Sequence, residues 1–136
     1  MRVLKSILLA ALLVLLCTCT PQAQAVAADT VATVANAAID PLLTAYEAEG
    51  NAAIQRAETV EELMLAIPAT RDRWQPVWAA LRAFAIAHDA WATALERGQD
   101  GDLAAVQAAW CALRAMALEF GVRVGDFPVI GCNDDQ

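Results

Sequence analysis

Apolar residues recur along most of this chain at three- and four-residue steps, the period of a helix buried on one side. The longest such run is Arg71 to Arg97. Trp74, Val77, Trp78, Leu81, Phe84, Ala85, His88, Trp91 and Leu95 form one broad apolar stripe along it. Ala79, Ala80, Ala83, Ala87, Ala90 and Ala94 fall opposite. Only a narrow band, with Gln75, Arg82, Asp89, Thr93 and Glu96, is polar. A helix with a large-residue face and a small-residue face can be covered on both sides. This one is expected at the centre of a bundle.

Capping and breaking residues set the other elements. Asp29 or Thr30 is expected to cap a first helix over about 30–57. Val31, Val34, Ala35, Ala38 and Ile39 follow at helical spacing, and Leu43, Tyr46, Gly50 and Ile54 continue the face. Asp40-Pro41 reads as a kink or a fresh start. Gly50 marks either a close helix approach or a weak point. Thr59-Val60-Glu61-Glu62 is a capping box, opening a short helix over 60–67 through Leu63, Leu65 and Ile67. Pro68 is expected to end or bend it, with a new start at Thr70 and a helix over 70–97 whose first turns Pro76 bends. Gly98-Gln99-Asp100-Gly101 reads as a turn. Asp102 caps a last helix over 102–120, with Leu103, Val106, Trp110, Leu113, Ala117 and Phe120 on its buried stripe. Gly121 stops it, and 121–136 forms an irregular tail. The pattern predicts an all-α fold: a small antiparallel bundle of three to four helices with an irregular C-terminal tail, in one domain over 26–136.

Residues 1–25 follow a different pattern. Arg2 and Lys5 precede an unbroken apolar run from Ile7 to Leu16. Pro21 and the small-x-small triplet Ala23-Gln24-Ala25 come next. That order is a secretory signal with cleavage after Ala25. The apolar run is well short of the roughly 20 residues that a spanning helix needs. Cys17 and Cys19 offer a second reading, in which one of them is the lipidated first residue of a lipoprotein. Leu16 is bulky for the position before Cys17, and Thr18 is also off pattern before Cys19. The expected location is the periplasm or cell envelope of a bacterium, with the membrane involved only through the signal or a lipid anchor.

Cleavage would leave all 16 acidic residues and seven of the nine basic ones, a net charge of −9. So acidic a surface repels phosphate backbones, so no nucleic-acid partner is expected. The processed chain has no Ser and no Lys, and its only His is His88. That excludes Ser nucleophiles, Lys Schiff bases and sites built from two His. Cys111 and Cys132 form an even pair in an exported chain and read as one disulfide. The tail is long enough to fold back to Cys111.

Each remaining constellation has a functional and a structural reading. His88 is either a ligand or acid/base on the aromatic stripe or a core histidine bonded to a backbone carbonyl. Trp74 and Trp78, with Arg82 four residues on, form either a stacked binding surface or core. His88, Trp74, Trp78 and Trp91 are thus the candidate ligand contacts. Asp100-Gly101-Asp102 resembles a calcium-loop fragment but lacks the later carboxylates. Glu47, Glu49, Glu61 and Glu62 read as solvated, because helix neighbours point apart. No catalytic residue, metal site or cofactor is expected.

Tyr46-Glu47-Ala48-Glu49-Gly50, Arg73-Trp74-Gln75-Pro76-Val77-Trp78 and Ala87-His88-Asp89-Ala90-Trp91 together resemble small exported helical proteins of unassigned function from tailed-phage and prophage genomes. The resemblance implies a phage-encoded envelope protein and no catalytic residues. The expected function is non-enzymatic: an exported helical protein that binds another protein. Two alternatives stand beside it, a small-ligand or metal binder using His88 and the Trp residues, and a phage lipoprotein. A helix with two buriable faces is also compatible with a homodimer.

Overall fold

The computed structural model describes residues 21–125 and Cys132, with side chains inside the first helix described from Ala27 onward. Three helices make up the described chain: α1 (Pro21–Arg56), α2 (Val60–Glu96) and α3 (Leu103–Glu119). α2 lies between the other two and packs on both, while α1 and α3 scarcely touch. Its expected central place therefore holds.

The helix boundaries differ from expectation in three places. α1 begins at Pro21, so neither Asp29 nor Thr30 caps it. The Asp29 carbonyl instead accepts from Thr33 Oγ1 at 2.9 Å, inside the helix. α1 also runs unbroken through Pro41, and α2 runs unbroken through Pro68 and Pro76. The two helices expected over 60–67 and 70–97 are thus one. All three prolines sit on exposed positions, where the carbonyls left without donors face water. The residues around them are anchored by packing: Leu42 beside Pro41, and Thr70, Trp74 and Val77 near the other two, are buried. Thr70 Oγ1 also donates to the Ala66 carbonyl, 3.1 Å away. Tertiary contact overrides the local break.

The other signals act as read. Thr59 Oγ1 accepts from the Glu62 N–H at 3.2 Å, and Glu62 reaches back to the Glu58 N–H at 2.8 Å. Asp102 accepts from the Ala105 N–H at 2.9 Å. α2 and α3 end alike, each with a left-handed glycine after its cap, Gly98 (φ 69°) and Gly121 (φ 73°). After α3 the Gly121 N–H reaches the Leu118 carbonyl at 2.9 Å, and the Val122 N–H reaches Ala117 at 3.0 Å. These two bonds satisfy carbonyls that the helix leaves open.

The core is built from Val31, Ala35, Ala38 and Leu42 of α1, four aromatic or branched residues of α2 (Trp74, Val77, Phe84, Trp91), and Val106, Trp110, Leu113 and Ala117 of α3. Val122 and Val124 carry the start of the tail into the same core. Trp110 Nε1 donates to the Gly125 carbonyl at 3.0 Å, and a disulfide joins Cys111 to Cys132 (Cα–Cα 5.6 Å). The irregular tail is therefore fixed to α3 at two points.

Helix length leaves part of the hairpin bare. α2 has 37 residues and α3 only 17. At 1.5 Å per residue they span about 55 Å and about 25 Å. α3 ends where Phe120 meets Trp74, ring centroids 4.7 Å apart. Among the described residues, α2 has only α1 beside it from Val60 to about Arg73.

Candidate functional site

The expected ligand contacts divide between core and surface. Trp74 is 1% exposed and Trp91 5%. Both are structural. Trp78 is half-buried. It stacks on Trp74 with centroids 5.8 Å apart, and Tyr46 sets its edge against both rings. Arg82 is exposed and not on these rings. Arg73 takes the cation–π role instead, its guanidinium carbon 5.4 Å from the Phe120 ring centre.

Glu49 is the residue that sequence reasoning missed. It was expected in solvent, yet it closes the aromatic cluster. Its Oε2 accepts from Trp74 Nε1 at 2.9 Å and its Oε1 from Arg73 Nη1 at 2.8 Å. A buried indole N–H needs an acceptor, and that need was the available signal.

His88 follows its structural reading. Nε2 lies 3.1 Å from the Ala28 carbonyl of α1. A carbonyl only accepts, so Nε2 carries the proton. The ring sits between Phe84 and Trp91, at 6.1 and 6.0 Å. It also lines two adjoining grooves between α1 and α2. One, of about 660 Å³, is bordered by Ala32, Ile39, Trp78 and Ala85. The other, of about 510 Å³, is bordered by Ala28, Ala32, Ala92 and Leu95.

No cluster of three or more His, Cys, Asp or Glu residues among the described residues is placed to hold a metal ion. Asp102 is the cap of α3. The export residues lie at the edge of or beyond this view. Cys17 and Cys19 lie outside the described residues. Ala23 and Ala25 lie in the first turns of α1, their side chains outside the described set. The described packing against the core begins at Ala27, two residues past the expected cut.

What the structure adds is a second apolar face. The inner stripe of α1 is Val31, Ala35, Ala38 and Leu42, continued by the half-buried Ala45 and Glu49. Leu43, Tyr46, Gly50 and Ile54 were expected to continue that stripe. They lie instead on a separate one with Ala32 and Ile39, and Leu43 and Ile54 are exposed. α2 repeats this. Leu65 and Ile67, on the stretch expected as a short helix, are 68% and 53% exposed, with Val60 at 75% and Met64 at 70%. Ile54 and Ile67 border a shared hollow with Tyr46 and Gly50. The two outer stripes meet along the α1–α2 groove, which no other described residues cover. The four-three spacing Val60, Met64, Ile67, Arg71, Trp74, Trp78, Leu81, Ala85 was legible as a coiled-coil-like seam. No helix of the described residues is long and apolar enough to cross a membrane. Among family models, curated proteins and solved structures, none matches this chain.

Proposed function

We propose that this is an exported, envelope-associated helical protein that works by binding another protein and has no catalytic activity. The uncovered apolar face of the α1–α2 hairpin carries the reading. Val60, Met64 and Ile67 recur on it at four- and three-residue steps, and all are more than half exposed. An apolar patch of this kind marks an interaction surface more often than a free one. The signal-like residues 1–25 and the disulfide agree with an oxidising compartment outside the cytoplasm. A phage origin rests on the sequence resemblance alone.

The test is a photo-crosslinking residue at position 64, introduced in cells and followed through fractionation. A discrete adduct in the periplasmic or envelope fraction, absent when the probe is at Leu118 on α3, is the expected result. No adduct from position 64 would overturn the reading. The intact mass of the same protein separates its two export forms. A chain starting at Val26 is freely exported. A chain starting at Cys17 or Cys19 with acyl mass is lipid-anchored.

A second reading has one observation behind it: His88 and Trp78 line the 660 Å³ groove. A small apolar ligand seated there would change Trp fluorescence, and His88→Ala would remove the change.

A further inference from the structure

Among the described residues, the side chains that an oxidant attacks most readily are nearly all shielded. Trp74, Trp91 and Trp110 are buried, and Trp78 and Tyr46 are half-buried against one another. Cys111 and Cys132 are already joined. Met116 is half-buried and packs against the core. The exception is Met64, which is 70% exposed on the bare end of α2. It stands between Val60 and Ile67 at helical spacing, with Leu65 beside it, and all three are exposed. The one open thioether of the described chain thus lies at the centre of its exposed apolar patch.

We propose that Met64 is a site of reversible oxidation that switches this patch off. The oxidant class is a peroxide. The Met64 sulfur gives a lone pair to one peroxide oxygen, the O–O bond breaks, and water leaves. Sulfur is oxidised by two electrons and the peroxide is reduced by two. The product is a sulfoxide, a polar acceptor in place of an apolar thioether. The return step uses a dithiol reductant. The sulfoxide oxygen leaves as water, and the dithiol becomes a disulfide.

The position separates the effect on the surface from the effect on the fold. Met64 is little buried within the chain, so its sulfoxide leaves the helix and core in place. A protein seated on Val60, Met64 and Ile67 has to bury the new oxygen. The neighbours of Met64 one helical turn away are Val60, Glu61, Ile67 and Pro68, and an ionised Glu61 among them leaves no side-chain donor for it. A buried acceptor without a donor weakens the contact. This rests on the reading that the patch receives a protein, and it adds how that contact is regulated.

The experiment adds hydrogen peroxide to the processed, disulfide-bonded protein and follows each methionine by peptide mass. Met64 should gain one oxygen at least about tenfold faster than Met116, with helix content by circular dichroism unchanged. Methionine sulfoxide reductase with a dithiol should remove that oxygen. A photo-crosslinking residue at Val60, which leaves Met64 in place, then reads the surface once the peroxide has been removed. The unoxidised protein should give a discrete adduct with the envelope fraction, and the Met64 sulfoxide should lower its yield at least about tenfold. Met64→Leu, apolar but without sulfur, should keep the adduct after peroxide treatment.

Oxidation of Met116 as fast as Met64, or a Met64 sulfoxide that is captured as well as the thioether, overturns the inference and leaves the proposed function standing. Loss of the adduct from peroxide-treated Met64→Leu also overturns it, because the sensitive group then lies elsewhere. No adduct from position 60 or 64 before oxidation overturns both.

Discussion

The two ends of α2 hold similar amounts of apolar side chain and treat them in opposite ways. From Trp74 to Trp91 the helix has α1 on one flank and α3 on the other, and only its outer side, with Ile86, stays open. Trp74, Val77, Phe84 and Trp91 are all nearly out of reach of water. From Val60 to Ile67 it has one neighbour among the described residues, and Val60, Met64, Leu65 and Ile67 remain exposed. The sequence period is the same at both ends. The difference is set by the length of α3, which gives out at Phe120. Periodicity tells which residues can be buried together. The number of helices present at each level decides which of them are.

The sharpest way to break the comparison is truncation at each end. Trp91→Ala should cost about 3–5 kcal/mol, the usual loss for a large buried aromatic. Met64→Ala, on the same helix, should stay within about 0.5 kcal/mol in a monomeric state. Urea denaturation at low protein concentration reads both. Equal losses would mean that the tip is as enclosed as the centre.

Next in size is the fixing of the tail on the closed side. Cys111 and Cys132 are 21 residues apart. Closing a loop of that length constrains the unfolded chain by about 3 kcal/mol. Cys132→Ala should lower the urea midpoint accordingly, and reductant should have no further effect on that variant. Gly125, which accepts the Trp110 indole bond, and the buried Val122 and Val124 lie inside the bridged loop. A loss well under 1 kcal/mol would show that those contacts hold the tail alone.

Both ends of this contrast were unevenly legible in the sequence. Caps and stops at Thr59, Asp102 and Gly121 are local chemistry, and they act where they were read. The buried stripe of α3 and the Cys111–Cys132 pair were likewise readable, since one period and one compartment argument suffice. Pro41 and Pro68 misled because a proline's local cost says nothing of the packing that outweighs it. The two stripes of α1 misled for a related reason. Val31, Ala35, Ala38 and Leu42 run beside Ile39, Leu43, Tyr46 and Ile54, and both have helical spacing. Only a neighbour at the right height chooses between them. The same ambiguity hid the open face, which appears in the sequence as surplus core.

Glu49 lies at the boundary between the two regimes, the last inner-stripe position of α1 before the bare tip. Glu49→Ala should cost about 1–3 kcal/mol, because the Trp74 N–H stays buried without its acceptor. Glu49→Gln keeps an amide oxygen for that N–H and loses only the charge facing the exposed Arg73. It should cost under about 1 kcal/mol. Equal losses for both would assign the effect to the ion pair and not to the indole.

The smallest effect expected falls on the outer stripe. Gly50 is helical and lies on the outer stripe, and a methyl group added there would meet nothing within 4 Å. Within one chain, then, it marks no close helix approach. It is only a loss of helix propensity, and Gly50→Ala should stabilise the monomer by about 0.5–1 kcal/mol. Gly101 is the internal control. A methyl group there would collide with the Trp91 ring, so Gly101→Ala should destabilise at any protein concentration. A Gly50→Ala variant that is neutral or destabilised would instead place another part of the molecule against that position.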